Sequence, residues 1–163
     1  MANKILQQKL SDSTKRALTK TVIISDGTNE ANTILVDVSS LAYALNATGV
    51  ISGTNPRAKH NTTIKRILGN FKSNNGVIRL QWHGASNSEI IAVGSGSFEY
   101  NFEKMVDGGS IPNPETNSTG DILITTTGLV SGDVATIIID QRKDNNDYDA
   151  GQTADPYAFN RAT

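Results

Sequence analysis

From Lys20 onward the chain is a series of short apolar runs separated by turn residues. Thr21–Ser25 and Thr33–Val38 are β-branched and apolar, and Asp26-Gly27 opens the polar stretch between them, which predicts a hairpin of two strands. Leu41–Leu45 suits one helical turn. Asn46–His60, with Gly49, Gly53 and Pro56 among small polar residues, reads as a loop. Thr62–Phe71 fits two patterns: Ile64, Ile67, Leu68 and Phe71 have helical spacing, but Thr62, Thr63 and Ile64 favour a strand, and Asn74-Asn75-Gly76 follows. An Asn-Gly pair between apolar runs is a strong hairpin signal, because both residues tolerate positive φ. Val77, Arg79 and Gln81 then alternate with Ile78, Leu80 and Trp82. The pattern therefore predicts Thr62–Phe71 and Gly76–Trp82 as neighbouring antiparallel strands. Glu89–Val93 and Ser97–Phe102 form two more around Gly94-Ser95-Gly96, and Val106–Gly120 is a long loop. Asp121–Thr127 and Asp133–Arg142 are the clearest strands, joined by Gly128–Gly132. The last, with Val134, Ile137, Ile138 and Ile139, reads as buried on both faces.

About eight short strands with turns between them and hardly any helix predict an all-β chain, a single-domain β-sandwich or jelly roll with flexible termini. The alternation nominates Ile78, Leu80, Trp82, Ile122, Ile124, Ile137 and Ile139 for the core. Ala2–Lys20 is polar and basic. Ile5, Leu6, Lys9 and Leu10 have helical spacing there, but so short a helix is marginal in water, so the stretch reads as a short helix or an extended arm ordered only against something else. The chain thus divides into an N-terminal arm over 1–18, a sandwich domain over 19–143 and a polar C-terminal tail over 144–163. The arm supplies the candidate partner-binding residues Ile5, Leu6, Leu10, Lys15, Arg16 and Leu18.

Composition narrows the chemistry. The 163 residues carry a net charge of −1 and no cysteine, which excludes disulfides, cysteine–zinc sites and thiol nucleophiles. No apolar run approaches the ~18 residues of a membrane span, and Met1–Lys20 lacks the continuous apolar segment of a secretory signal. The charges are segregated. From Val38 to Ser88 the ionic residues are Arg57, Lys59, Lys65, Arg66, Lys72 and Arg79, all basic; from Glu89 to Asp140 only Lys104 opposes the acids. Such asymmetry suits a polyanion or like molecules docking basic surface to acidic surface, unless folding mixes the two halves.

No catalytic, cofactor or metal site emerges, and the chain is not expected to be an enzyme. His60 sits beside Lys59 and His83 follows Trp82, a poor pair for a cation. There is no G-x-S-x-G and no G-x-G-x-x-G. Among Glu89, Glu99, Glu103, Asp107 and Asp121 nothing selects the two carboxylates of a glycosidase. Asp144-Asn145-Asn146-Asp147-Tyr148-Asp149 is rich in oxygen, yet Tyr148 and Asp149 break the calcium-loop pattern at its fifth and sixth positions. The basic stretch interleaves only Phe71 and Trp82, too few aromatics for a single-strand binder, so nucleic acid is not an expected partner. The 6% aromatic content likewise disfavours a sugar-binding platform.

The order of motifs is more informative than any site. Val36-Asp37-Val38-Ser39 precedes a loop, then Ile64-Lys65-Arg66-Ile67 with Gly69-Asn70, Leu80-Gln81-Trp82 with Gly84-Ala85, and Ile91-Ala92-Val93 with Gly94-Ser95-Gly96 and Phe98. Gly108-Gly109-Ser110-Ile111-Pro112-Asn113, Gly120-Asp121-Ile122-Leu123-Ile124-Thr125-Thr126 and Ser131-Gly132-Asp133 follow, before a strand ending in Arg142-Lys143. Over residues 33–143 this resembles small virion structural proteins of tailed bacteriophages, among them head decoration proteins. Those proteins often have Asp after the tryptophan; His83 stands there, so no role of that acid carries over. The resemblance implies a capsid decoration or cement protein, assembled in the host bacterial cytoplasm and located in the virion. Its implied partners are the major capsid protein and other copies of itself, in a homo-oligomer, with no membrane. A neck, tail or fibre component, or a carbohydrate- or host-surface-binding sandwich, is the alternative.

Overall fold

The computed structural model describes residues 2–51 and 57–148. Among these residues ten strands form two antiparallel sheets around one core. In chain order they are β1 (Lys4–Asp12), β2 (Arg16–Asp26), β3 (Thr33–Val36), β4 (Thr62–Lys72), β5 (Val77–Trp82), β6 (Ser88–Val93), β7 (Gly96–Asn101), β8 (Ile111–Pro112), β9 (Ile122–Thr127) and β10 (Ser131–Lys143). Val38–Ser40 makes a 3-10 turn, and α1 (Phe102–Met105) a single helical turn. The larger sheet runs β1-β2-β10-β4-β7, with β8 paired to β4; the smaller runs β3-β9-β5-β6. The protein is thus an all-β, single-domain sandwich. Without β1 and β8, the remaining eight strands are those expected from the pattern, and β2-β10-β4-β7 facing β3-β9-β5-β6 is the strand order of a jelly roll. The seven nominated core residues, Ile78 to Ile139, are each at most 1% exposed.

The expected hairpins are corrected. β2 and β3 lie in different sheets, and so do β4 and β5, β6 and β7, and β9 and β10. Each short connection carries the chain across the core. Asn75-Gly76 does not adopt the turn its sequence suggests, since neither residue has positive φ. Instead the buried Ser73 hydroxyl accepts a 2.8 Å bond from the Gly76 N–H and donates a 2.7 Å bond to Asp133. A side chain at Gly76 would meet the Phe71 ring at 2.7 Å, so glycine is there for room. The adjacent-strand hairpins are β1–β2, where Asp12 pairs with Ala17, and β5–β6, where Trp82 pairs with Ser88.

The N-terminal arm is also corrected. β1 pairs with β2 from Lys4 opposite Ile24 to Asp12 opposite Ala17, so its order comes from this chain, and the 18/19 boundary falls inside β2. Ile5 packs against the core while Leu6 is 49% exposed, the alternation of a strand and not of a helix. At the other terminus Tyr148 is fully buried, so the expected tail begins folded; residues 149–163 lie outside the described set. The charge halves meet in space: Lys65 pairs with Glu103 at 2.5 Å, Arg79 with Glu89 at 3.6 Å and Arg66 with Glu99 at 3.8 Å.

Candidate interaction surface

The inner face of the larger sheet carries Ile23, Ala135, Ile137, Ile139, Ile67 and Phe71, all buried. Strand alternation sends the intervening residues outward. Register sets them in rows across the sheet: Lys4, Ile24, Val134 and Lys72; then Leu6, Val22, Thr136 and Asn70; then Gln8, Lys20, Ile138, Leu68 and Glu99. Leu18 extends the face one row further. An apolar stripe therefore crosses the outer face, bordered by Lys4, Lys72 and Glu99 and interrupted by Lys20 between Gln8 and Ile138. Leu6 and Ile24, 49% and 39% exposed, are its most open members; Val22, Val134, Ile138, Leu68 and Leu18 are half-buried. β10 was expected to be covered on both faces, and its outer face is only half covered. The uninterrupted run that suggested double burial is instead a strand with apolar residues on an open side.

The stripe reaches the edge of the sheet at β1, whose far side has no strand beside it among the described residues. Long edges of this kind are templates for another chain unless charge, proline or cover protects them. The nearby edge of β3 is covered: Gln7 Nε2 donates to the carbonyls of Ile34 at 3.3 Å and Leu35 at 3.0 Å. Lys9, which could guard the edge of β1, turns its ammonium inward to the Ser40 carbonyl. A bulge between Lys9 and Ser11 leaves Leu10 44% exposed.

Of the six candidate partner-binding residues, Leu6, Leu10 and Leu18 lie on this surface. Ile5 faces the core. Arg16 binds Asp140 through two bonds of 2.7 and 2.6 Å, and Asp140 raises the guanidinium pKa further. Lys15 and Arg16, with Lys65, Glu103, Asp140 and Arg142, line an open hollow of about 240 Å³ below the stripe. Lys65 holds the Glu103 carboxyl below its usual range. The sequence reading missed Val22, Ile24, Leu68, Val134 and Ile138. Their signal was present: apolar residues at both parities of β2 and β10.

Other candidates are structural. Lys143, with no exposed side-chain surface, donates to the Asp12 carboxylate, to the Ser13 carbonyl at 2.7 Å and to the Ala42 carbonyl at 2.8 Å. Those three bonds use all three ammonium donors. Its nitrogen also lies 5.1 and 5.9 Å from the ring centres of Tyr148 and Tyr43. Burial lowers the Lys143 pKa against the opposing pull of Asp12, and burial pushes the Tyr148 hydroxyl well above its ordinary value. Tyr148 donates to the Val38 carbonyl at 2.8 Å. This cluster holds a lysine, an acid and a tyrosine, but each is committed to holding loops together. Trp82 is 1% exposed and belongs to the core. Among the described residues no group of three or more His, Asp or Glu is placed to hold a metal ion, and no helix is long and apolar enough to cross a membrane. Compared with known proteins, the chain matches no family model, no curated protein and no solved structure.

Proposed function

We propose that this chain is a structural component of a tailed-bacteriophage virion, a decoration or cement protein that binds the outer surface of the head and stabilises it through protein–protein contacts. The observation that supports this reading most is the apolar stripe on the outer face of the larger sheet, running from Leu68 and Ile138 through Val22 and Ile24 to Leu6 at the edge. Exposed contiguous apolar surface with a polar rim marks a place where another protein docks. A jelly roll serves many functions, so the fold alone argues for none. The order of motifs over residues 33–143 supplies the phage context. In this reading the major capsid protein covers the stripe, and repeated copies on a symmetric lattice turn a modest single contact into tight retention. The core, which includes Trp82 and Ile137, provides the rigid body such a contact requires.

The test is mass spectrometry of purified virions with the copy number counted against the major capsid protein. A head decoration role gives on the order of hundreds of copies, and a neck or tail role about six or twelve, as the symmetry of those parts dictates. Absence from purified virions would overturn the proposal. Ile24→Asp, on the stripe but outside β1, should fold normally and fall in copy number in the same particle.

A further inference from the structure

The edge of β1 that has no strand beside it among the described residues carries residues that describe their own partner. In a two-fold antiparallel pairing of identical strands, a residue n places before the centre meets the residue n places after it in the other copy. With Gln8 at the centre, Leu6 meets Leu10, Gln7 meets Lys9, and Gln8 meets itself. Leu6 and Leu10 are also the two exposed apolar side chains of β1, at 49% and 44%. They lie on opposite sides of Gln8 and share its outward parity, and Leu10 is the residue of β1 that has no partner on β2. A strand from an unrelated chain would need to supply an apolar residue opposite each leucine; a second copy of this chain supplies both through one symmetry operation. The inward side is cleared as well. Gln7 reaches to the carbonyls of Ile34 and Leu35 and the Lys9 ammonium to that of Ser40, which ties both polar ends toward the second sheet while the Lys9 side chain stays 45% exposed.

We propose that β1 is a self-pairing edge. Two copies of the chain join antiparallel through residues Leu6–Leu10, with Gln8 on the two-fold axis. The larger sheets of both copies become one continuous sheet. The two apolar stripes, each running from Leu6 to Val22 and Ile24, merge on one side of it. The bulge at Leu10 ends regular pairing at that residue, which keeps the contact short and stops it extending into the turn before β2. This dimer does not depend on the virion reading. Copy number in particles tests that reading and association in solution tests this one, so either can fail alone.

The experiment is sedimentation velocity of the full chain from about 1 to 100 μM, where an association of micromolar strength is visible. The wild type should pass from monomer to dimer across this range. L6K/L10K sets lysine against lysine twice across the axis and should weaken the dimer at least about tenfold. L6E/L10K sets glutamate against lysine twice and should restore association at low salt. Unchanged far-ultraviolet circular dichroism and melting temperature would show that both variants, which alter exposed positions only, retain the fold. A disulfide formed by Gln8→Cys under mild oxidation would locate the axis. A wild type that stays monomeric at the highest concentration overturns the proposal. So does a dimer that survives L6K/L10K, or one that L6E/L10K fails to restore.

Discussion

The two ends of the sandwich are built by different means. At one end the chain crosses between sheets in four short steps, at residues 27–32, 73–76, 94–95 and 128–130. These steps brace one another through local polar contacts. The Leu129 N–H donates to Asn29 at 3.1 Å, the Val130 N–H to Asp133 at 3.0 Å and the Ser73 hydroxyl to the same carboxylate. At the other end, beside the short hairpin turns at 13–15 and 83–87, two connections are long, at 37–61 and 102–121, and these are anchored by buried charge. Asp147, a buried carboxylate, accepts from the Asn61 backbone at 2.9 Å, from its side chain at 2.7 Å and from Arg57 at 3.1 Å. Asp121 accepts from the Val38 N–H at 3.0 Å, and Lys143 joins β10 to Asp12, Ser13 and Ala42. Short crossings need room and backbone geometry. Long loops need fixed points, which charged groups provide because leaving one unpaired is costly.

The largest expected effect follows from that contrast. Lys143→Met at the long-loop end leaves the Asp12 carboxylate and two carbonyls without their donor. The loss should be about 3 kcal/mol in urea unfolding, the lower end for a broken buried pair. It falls at the lower end because Asp12 keeps the Ala42 N–H at 2.8 Å and lies 3.5 Å from Lys9. Ser73→Ala at the short-loop end removes the acceptor of the buried Gly76 N–H and should cost about 1–3 kcal/mol. A Ser73→Ala loss larger than that of Lys143→Met would invert the comparison.

Glycine substitutions sharpen it. Gly120, at φ +93°, packs so closely on the His60 carbonyl that an added Cβ would strike backbone. Gly128, at φ +70°, would place its Cβ 2.8 Å from the Asn75 carbonyl oxygen. Left-handed backbone strains any L side chain by roughly 1–2 kcal/mol, so both alanines destabilise. Gly120→Ala should cost more, since the β3–β4 loop would have to move away from Asp121. Equal melting temperatures for the two variants would show that the long loops yield as readily as the short crossings.

Eight strands of the jelly roll were legible from alternation because burying one face imposes a period of two whichever sheet a strand joins. Pairing was not legible for the same reason. Phe71 and Ile78 both point to the core whether the chain turns back within one sheet or crosses to the other, so Asn75-Gly76 looked like a hairpin. β1 was missed because its order comes from backbone pairing with β2 and from Ile5 alone on its inner side. Leu6 and Leu10 stood out in the sequence because they are apolar in a polar stretch, and the structure leaves both exposed. Val22, Val134 and Ile138 were not, because a strand apolar on both faces reads as buried until its second face is seen to be open. Lys143 was silent: a lysine at a strand end is ordinarily solvated, and its acceptors come from residues 12, 13 and 42.

The smallest expected effect is the pH dependence of the Lys143 clasp, and its sign is diagnostic. Burial lowers the Lys143 pKa from 10.5 and outweighs the pull of Asp12, whereas in the unfolded chain the amine keeps its ordinary value. Between the depressed folded value and 10.5 the unfolded chain therefore binds more protons, and stability from this group rises with pH. Below both values its contribution is constant. The measurement is a difference, which removes whatever the two proteins have in common. Urea midpoints of wild type and Lys143→Met are compared at neutral pH and again near the ordinary lysine value. The gap between them should widen on going alkaline. If the ion pair with Asp12 outweighed burial, the folded pKa would be raised and the gap would close instead. A narrowing gap would mean that attraction to Asp12 outweighs the burial of the ammonium at the long-loop end.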